Sequence, residues 1–202
     1  MAQTSTSILS SKSHKADITV TEGASFTVTG SEYKITTTST SLSNLAQFDV
    51  ISVTGTTNNN QSFTVKSVAD DGLSIVVYEL VTAETSDGST DTVIDHVGFV
   101  SDKQKGDGYY SKPDGVHTVA YKISNTVPIA TTIKMQGSLA TTPTEDDWFD
   151  IPSSGPTPDL STTIFSYNFT GNFVWVRTKI TGMTAGTNND CLLYTSPSPR
   201  DS

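Results

Sequence analysis

Cysteine is almost absent from this chain of 202 residues, which contains only Cys191. Disulfide frameworks and thiolate metal sites need several cysteines, so the sequence excludes both. Long apolar runs are also missing, since no stretch approaches the roughly 18 apolar residues of a membrane-spanning helix. The N-terminal stretch MAQTSTSILSSKSHKADITV has no hydrophobic core of signal-peptide length, and it therefore predicts no cleaved export signal.

Basic residues are scarce as well. The chain has 12 Lys and Arg residues against 21 Asp and Glu residues, which gives a net charge of −9 at pH 7. An acidic surface repels phosphate backbones and anionic lipid headgroups. We therefore expect neither nucleic acid nor a membrane as a partner, and no motif in the chain indicates a cofactor.

Short alternating runs of apolar and polar residues, separated by Gly, Asn, Asp and Pro, make up most of the chain. This pattern is typical of antiparallel sheet, and helical periodicity is scarce. It predicts an all-β protein with two small antiparallel β-domains, an N-terminal small barrel and a C-terminal β-sandwich of jelly-roll-like type. The expected segments are a flexible N-terminal arm over 1–16, the barrel over 17–100, a linker over 101–115, the sandwich over 116–190 and a tail over 191–202.

One strand of the expected barrel has an interrupted alternation. Phe48 and Val50 share one face, whereas Ile51 and Val53 fall on the other. A β-bulge inserts one extra residue and re-aims the side chains that follow it. We therefore predict a bulge between Val50 and Ile51 that turns all four side chains toward one core. The stretches TGTTNNNQS and DDG further along predict turns, because Gly and Asn tolerate positive φ.

The clearest hairpin lies in the second domain, in the stretch TTIFSYNFTGNFVWVRTKITGM. Its second strand places Phe173 and Trp175 on one face and Val174, Val176 and Ile180 on the other. Apolar residues on both faces predict a strand that is buried on both sides. Trp175 is accordingly expected in the core.

The end of the chain differs from everything before it. Residues 191–201 read CLLYTSPSPRD, which resembles a translated sequencing-library adapter rather than native protein. Segments of this kind are excluded from fold reasoning. We expect the native sequence to continue differently after about Asp190, and the next strand of the sandwich to be missing.

Four acidic residues are the best catalytic candidates: Glu145, Asp146, Asp147 and Asp150. A pair of carboxylates held several ångströms apart can cleave a glycosidic bond. Consecutive acids after a proline also form an ordinary solvated turn, in which Asp146 and Asp147 point in different directions. The sequence therefore predicts no catalytic residue and a protein that is not an enzyme.

The acidic and histidine residues elsewhere in the chain do not form the pattern of a metal site. Asp70 and Asp71 could attract Ca²⁺, but no spaced loop pattern of acidic residues accompanies them. His96 and His117 lie within alternating strands, where histidine is more often structural than a ligand. No metal site is predicted.

A glycan-binding site is the remaining candidate. Trp148, Tyr109 and Tyr110 could form an aromatic platform for a sugar ring, with Asp147 beside them to accept hydrogen bonds from hydroxyls. Packing explains the same residues equally well. The site is kept as a hypothesis for a receptor-binding module.

Two stretches suggest a family. FDVISVTGTTNNNQSFTVKSVADDGLSIVVYELVTAE resembles a small β-barrel unit of tailed-bacteriophage structural proteins. IKMQGSLATTPTEDDWFDI, followed by YNFTGNFVWVRTKITGMTAGT, is similar to virion structural proteins of marine T4-like myoviruses, including cyanophages. The resemblance covers about residues 45–187, and its motifs are structural.

The resemblance implies a non-enzymatic virion component in the tail, neck, baseplate, fibre or capsid surface. Its partners would be other virion proteins and further copies of itself, and it would assemble in the host cytoplasm. The alternative is a carbohydrate-binding adhesin that recognises a host surface glycan.

Overall fold

The computed structural model describes residues 6–9, 12–86, 88–106, 109, 115–124, 132–155, 163–183 and 190–196. These residues form 16 β-strands and include a 3-10 turn over Glu145–Asp147, which confirms the all-β class. The described residues contain no helix that is long and apolar enough to cross a membrane. The chain divides into two compact units, Lys15–Phe99 and a second unit of Met1–His14 with Val100–Ser202.

The first unit is an antiparallel meander with one added hairpin. Its strands pair in the order β2-β9-β5-β6-β7-β4-β3-β8. They are β2 (Ile18–Val20), β3 (Ala24–Thr29), β4 (Glu32–Thr37), β5 (Asp49–Thr54), β6 (Ser62–Val68), β7 (Ser74–Val77), β8 (Glu84–Thr85) and β9 (Thr92–Val100).

The predicted barrel is wrong in one respect, because the described strands form no closed barrel. Closure would need the two end strands to pair, and these are only three and two residues long, Ile18–Val20 and Glu84–Thr85. The sheet instead curls, since Val20 near one end and Phe26 near the other belong to the same buried cluster. Burial of apolar surface in this shared core stabilises the unit.

The bulge predicted in β5 is confirmed. The pairing of β5 with β9 shifts register between Val50 and Ile51. Ile51 and Val53 join the buried cluster. Phe48, by contrast, precedes the strand with a φ of 70° and is only half-buried, so not all four apolar side chains reach the core.

The second unit is a β-sandwich of two sheets. One sheet has the order β1-β16-β11-β14, and the other has β13-β12-β15 with β10 also paired to β15. The strands are β1 (Thr6–Leu9), β10 (Gln104–Lys105), β11 (Val116–Ser124), β12 (Thr132–Ser138), β13 (Phe149–Asp150), β14 (Thr163–Thr170), β15 (Trp175–Thr181) and β16 (Asp190–Ser196).

Buried side chains from both sheets form the core of the sandwich. Val119 and Tyr121 on β11 are fully buried, as are Ile133 and Met135 on β12. The Tyr121 hydroxyl donates a hydrogen bond of 2.6 Å to the carbonyl oxygen of Ser154, so the buried phenol is satisfied.

Three predicted irregular segments contain strands. Strand β1 lies in the predicted flexible arm, with Ile8 and Leu9 buried. Strand β10 lies in the predicted linker, and the rest of that linker at 107–108 and 110–114 is outside the described residues. Strand β16 covers the start of the predicted adapter tail and pairs with β11 and β1, whereas residues 197–202 are not described.

Candidate functional site

Polar and aromatic side chains collect on the outward face of the β12–β15 sheet. Cross-strand register places Gln136 opposite Arg177 and Lys134 opposite Lys179. Residues directly opposite each other share one face of a sheet. The alternate residues Val176 and Ile180 are buried on the other face. The face therefore presents a row of charged and amide groups above an apolar layer.

Arg177 is at the centre of this face, and the sequence did not single it out. Its side chain is only 5% exposed. Nη1 and Nη2 donate to the two carboxylate oxygens of Glu145 at 2.8 and 2.7 Å, and Nε donates to Gln136 Oε1 at 2.9 Å. The Trp148 ring lies 4.2 Å from the guanidinium carbon in a cation–π contact. A buried guanidinium needs such a complete set of partners.

Asp150 extends the network to the edge of the sheet. It accepts hydrogen bonds from Lys134 Nζ at 2.8 Å and from Gln136 Nε2 at 3.0 Å. Burial by itself raises the pKa of Asp150, but the bonds from Lys134 and Gln136 outweigh it and hold that pKa below its ordinary value. A depression of about 160 Å³ lies beside these groups, with Lys179 on its rim.

Two members of the acidic triplet are hydrogen-bonded within the fold. Glu145 pairs with Arg177, and Asp147 accepts hydrogen bonds from the Thr144 amide at 2.7 Å and hydroxyl at 2.8 Å. The Thr144 amide and hydroxyl lower the pKa of Asp147. A general acid in glycoside cleavage needs the opposite shift, toward higher pKa. Asp147 therefore closes its own turn.

The predicted glycan residues separate into different environments. Trp148 is half-buried against Arg177, and Asp147 is committed to Thr144. Tyr109 is 42% exposed and contacts Trp175 edge-on, with ring centroids 5.1 Å apart. Tyr110 lies outside the described residues.

Trp175 is not the core residue that the alternation predicted. It is half-buried, and its indole Nε1 donates to the Thr141 carbonyl oxygen at 3.0 Å. Lys103 Nζ lies 4.6 Å from the Trp175 ring centroid, and Lys105 Nζ lies 4.2 Å from that of Tyr109. One face of each ring therefore carries an ammonium group, which reduces the surface left for a sugar.

His117 packs against aromatic rings. Its ring stacks on Phe169 at 5.0 Å and 15°, and its Nε2 lies 3.2 Å from the Gly171 carbonyl oxygen. Phe173 packs nearby against Gly137, where an added Cβ would lie 2.5 Å from the Phe173 ring. This glycine is required by close approach of the ring to the strand.

A buried ionic cluster holds the start of the first unit. Asp49 accepts hydrogen bonds from Lys15 Nζ at 2.6 Å and from the Ala46 amide at 2.7 Å, and His96 Nε2 lies 3.8 Å away. Burial raises the pKa of Asp49, but His96 and Lys15 outweigh it, so the net shift is downward. The Lys15 amide also donates to His96 Nδ1 at 3.3 Å. The cluster anchors Lys15 to strands β5 and β9.

A polar cleft of about 500 Å³ lies in the first unit, beside the loop between β5 and β6. Glu84 lies in it and accepts hydrogen bonds from the side chains of Asn58 and Asn59 at 3.0 and 2.7 Å. Its carboxylate thereby organises the loop between β5 and β6. Threonine and serine residues make up most of the remaining lining.

Asp70 and Asp71 form a turn. Asp71 Oδ1 accepts a hydrogen bond from the Leu73 amide at 2.9 Å, and Gly72 has the positive φ of 68° expected of the DDG turn. No group of three or more His, Cys, Asp or Glu residues that could hold a metal occurs among the described residues.

Strand β14 is the longest of the strands at the ends of the described sheets. β14 pairs with β11 over eight consecutive residues without a register shift, and no described strand pairs with its other side. Its sequence TIFSYNFT contains no charged residue and no proline. The other end strands are short: β1 has four residues, β2 three, and β8, β10 and β13 two each.

No family model matches the chain, and no curated protein matches it. Among solved structures, the chain is similar to the one described as the crystal structure of infectious bursal disease virus VP2 subviral particle. The identity is 11%, the alignment covers 96% of this chain and 72% of the other, and the TM-score is 0.26. A likeness at this TM-score carries no argument about fold or function.

Proposed function

We propose that this protein is a non-enzymatic structural component of a tailed-bacteriophage virion that acts by protein–protein assembly. The observation that carries the proposal is the open edge of β14. An edge strand presents unpaired amide and carbonyl groups, and monomeric proteins protect such edges with short strands, charges, prolines or bulges. The short end strands elsewhere follow this rule, whereas β14 has eight residues and none of these protections.

An added strand would satisfy the free edge of β14. Main-chain hydrogen bonds between strands give affinity that is largely independent of side-chain chemistry, which is the basis of β-strand addition. Each bond contributes only about 0.5–1.5 kcal/mol net. Many copies in one particle reduce the affinity that each contact must supply, so a modest interface is sufficient.

The virion setting is supported by the sequence resemblance over about residues 45–187. That resemblance rests on the strand and turn pattern of β5 to β7, on the stretch from β12 to β13 and on the hairpin of β14 and β15. Tail, neck, baseplate, fibre and capsid-surface decoration remain the candidate positions. Assembly would take place in the host cytoplasm, where a chain with one cysteine requires no disulfide formation.

Charged side chains of the described face support an assembly role rather than a reaction centre. Arg177 bonds to Glu145, and Gln136 bonds to both Arg177 and Asp150, so these charges have partners within the fold. Catalytic carboxylates have environments that push their pKa values apart, so that one is an acid and the other a base. Here the pKa values of both Asp147 and Asp150 are lowered.

Mass spectrometry of purified phage particles tests the proposal. We expect peptides from both units in a fixed ratio to the major structural proteins of the particle. We also expect Asn168→Lys, which places a charge on β14, to reduce incorporation, whereas Thr118→Lys on the neighbouring strand leaves it unchanged. Absence of the protein from intact particles would contradict the proposal.

The second candidate is an adhesin that binds a host surface glycan. The observation in its favour is the exposed Tyr109 ring beside Trp175. A glycan array tests it with Tyr109→Ala and with Tyr109→Phe as the matched control that keeps a stacking ring. Binding that is lost with alanine and retained with phenylalanine supports the adhesin. No binding by the unmodified chain removes this candidate.

A further inference from the structure

Strand β14 has two faces of different chemistry. Its inward-facing Phe169 is buried and Tyr167 is half-buried, while Ser166 and Asn168 on the other face are exposed. Directly opposite residues in an antiparallel pair share a face. In an antiparallel pair of two copies, the aromatic residues of one strand therefore lie beside those of the other, and the polar residues lie beside polar residues.

Charge also favours a second copy at this edge. Two chains that each carry a net charge of −9 repel each other over most of their surfaces. Because β14 contains no charged residue, pairing there places no like charges directly opposite each other. Like charges at directly opposite positions would destabilise the pair.

The alternation restricts the register of such a pair. If the two-fold axis lay level with the midpoint between two successive residues, inward positions would be opposite outward ones. The axis must therefore lie level with one residue, which is then opposite the same residue of the second copy. An axis through Tyr167 pairs residue 165 with residue 169 and brings every aromatic position of the strand opposite an aromatic one. An axis through Ser166 would place Thr163 opposite an aromatic residue instead.

We propose that β14 pairs antiparallel with β14 of a second copy across a two-fold axis at Tyr167, so that the sheets of the two copies become continuous. This inference rests on the proposed assembly function and names the partner of its edge. In this dimer Ser166 of one copy is opposite Asn168 of the other. The interface is isologous, as in most homodimers.

Sedimentation equilibrium of the full chain and its variants tests the pairing. We expect a reversible dimer whose dissociation constant rises at least about tenfold in Asn168→Lys, since a lysine on an edge strand opposes pairing. Thr118→Lys is the matched control. Thr118 is opposite Asn168 on β11, and its Oγ1 donates to Asn168 Oδ1 at 2.8 Å, so both variants remove one hydrogen bond and add one charge. We expect Thr118→Lys to leave the dissociation constant within about twofold.

A mixture of variants tests the register. Asn168→Lys and Ser166→Glu should each dimerise weakly alone, and their mixture should form a one-to-one heterodimer because lysine and glutamate then face each other. Ser166→Lys and Asn168→Glu replace this pair if Asn168→Lys does not fold by circular dichroism, because they place the same two charges opposite each other. An equal effect of Thr118→Lys, a monomeric unmodified chain, or a mixture no tighter than its components would overturn the inference.

The outcome for the proposed function is separate. A monomeric chain that is present in particles, and is lost from them in Asn168→Lys, overturns the self-pairing but keeps the assembly function with a different partner. A dimeric chain that is absent from particles overturns the assembly function but keeps the self-pairing.

Discussion

Replacement of Glu145 by alanine tests whether the acidic triplet is structural. The substitution leaves the Arg177 guanidinium, whose side chain is 5% exposed, without its carboxylate. Loss of one partner of a buried ion pair costs about 3–5 kcal/mol, because the remaining charge stays desolvated. Glu145 is 17% exposed, so water reaches part of the site, and we expect the lower end, about 3 kcal/mol.

The matched experiment repeats the substitution in an Arg177→Met background. Without the guanidinium no charge is left unpaired, and Glu145→Ala should then cost less than about 1 kcal/mol. The difference is a coupling energy of about 2 kcal/mol between the two side chains, within the range of directly bonded pairs. Asp147→Ala, which removes only the contacts of an exposed carboxylate with Thr144, should cost less than Glu145→Ala.

Urea unfolding followed by tryptophan fluorescence provides the measurement. Both tryptophans of the chain, Trp148 and Trp175, lie in the second unit, so the signal follows that unit. Linear extrapolation then gives the free energy of unfolding for each variant. A cost of Glu145→Ala that is the same with and without Arg177 would refute the reasoning.

The other predictions concern both units. A hydrogen bond from the Ser39 amide, supported by further bonds that include those from Thr40, lowers the pKa of Glu22 to about 2. An NMR titration of the Glu22 carboxyl should reproduce this value. Because this pKa is depressed, the stabilisation by Glu22 is present above its ordinary value of 4.5 and is lost as pH falls toward 2; a titration midpoint near 4.5 would be incompatible with the bonds. Asp49→Asn should cost about 2 kcal/mol at neutral pH, and the difference from the unmodified chain should shrink as pH falls below 3.8 in acid-unfolding curves. Gly137→Ala should cost about 1–3 kcal/mol in the second unit, because the added methyl group overlaps the Phe173 ring; an unchanged urea midpoint would show that the ring moves aside.

Local alternation was sufficient for several features of the fold. The bulge between Val50 and Ile51 followed from the exchange of faces along one strand, and the Gly72 turn followed from the tolerance of glycine for positive φ. These are properties of neighbouring residues. They need no knowledge of what packs against the strand.

The barrel and the position of Trp175 depend on more distant parts of the chain. Alternation predicts strands but does not show whether the end strands are long enough to close a sheet. For β15, both faces have apolar residues in sequence, and only the pairing with β12 and β10 shows that Trp175 is outward. Trp175 was assigned to the core because tryptophan is usually buried, and this assignment was wrong.

The networks around Arg177 and Asp49 could not be predicted, because their members are far apart in sequence. Arg177 bonds to Glu145 across 32 positions, and the Lys15 amide bonds to His96 across 81. The acids of the triplet were recognised as a group, but Arg177 was not identified as the partner of Glu145. A buried arginine on an alternating strand is a signal that an acid must lie nearby.

Amide hydrogen exchange of strand β14 tests the central claim most directly. The full chain is compared at concentrations below and above the midpoint of its self-association. If β14 pairs with β14 of a second copy, exchange over 163–170 slows at the higher concentration, while the other end strands exchange at unchanged rates. Unchanged exchange in β14, with or without protection elsewhere, would contradict it.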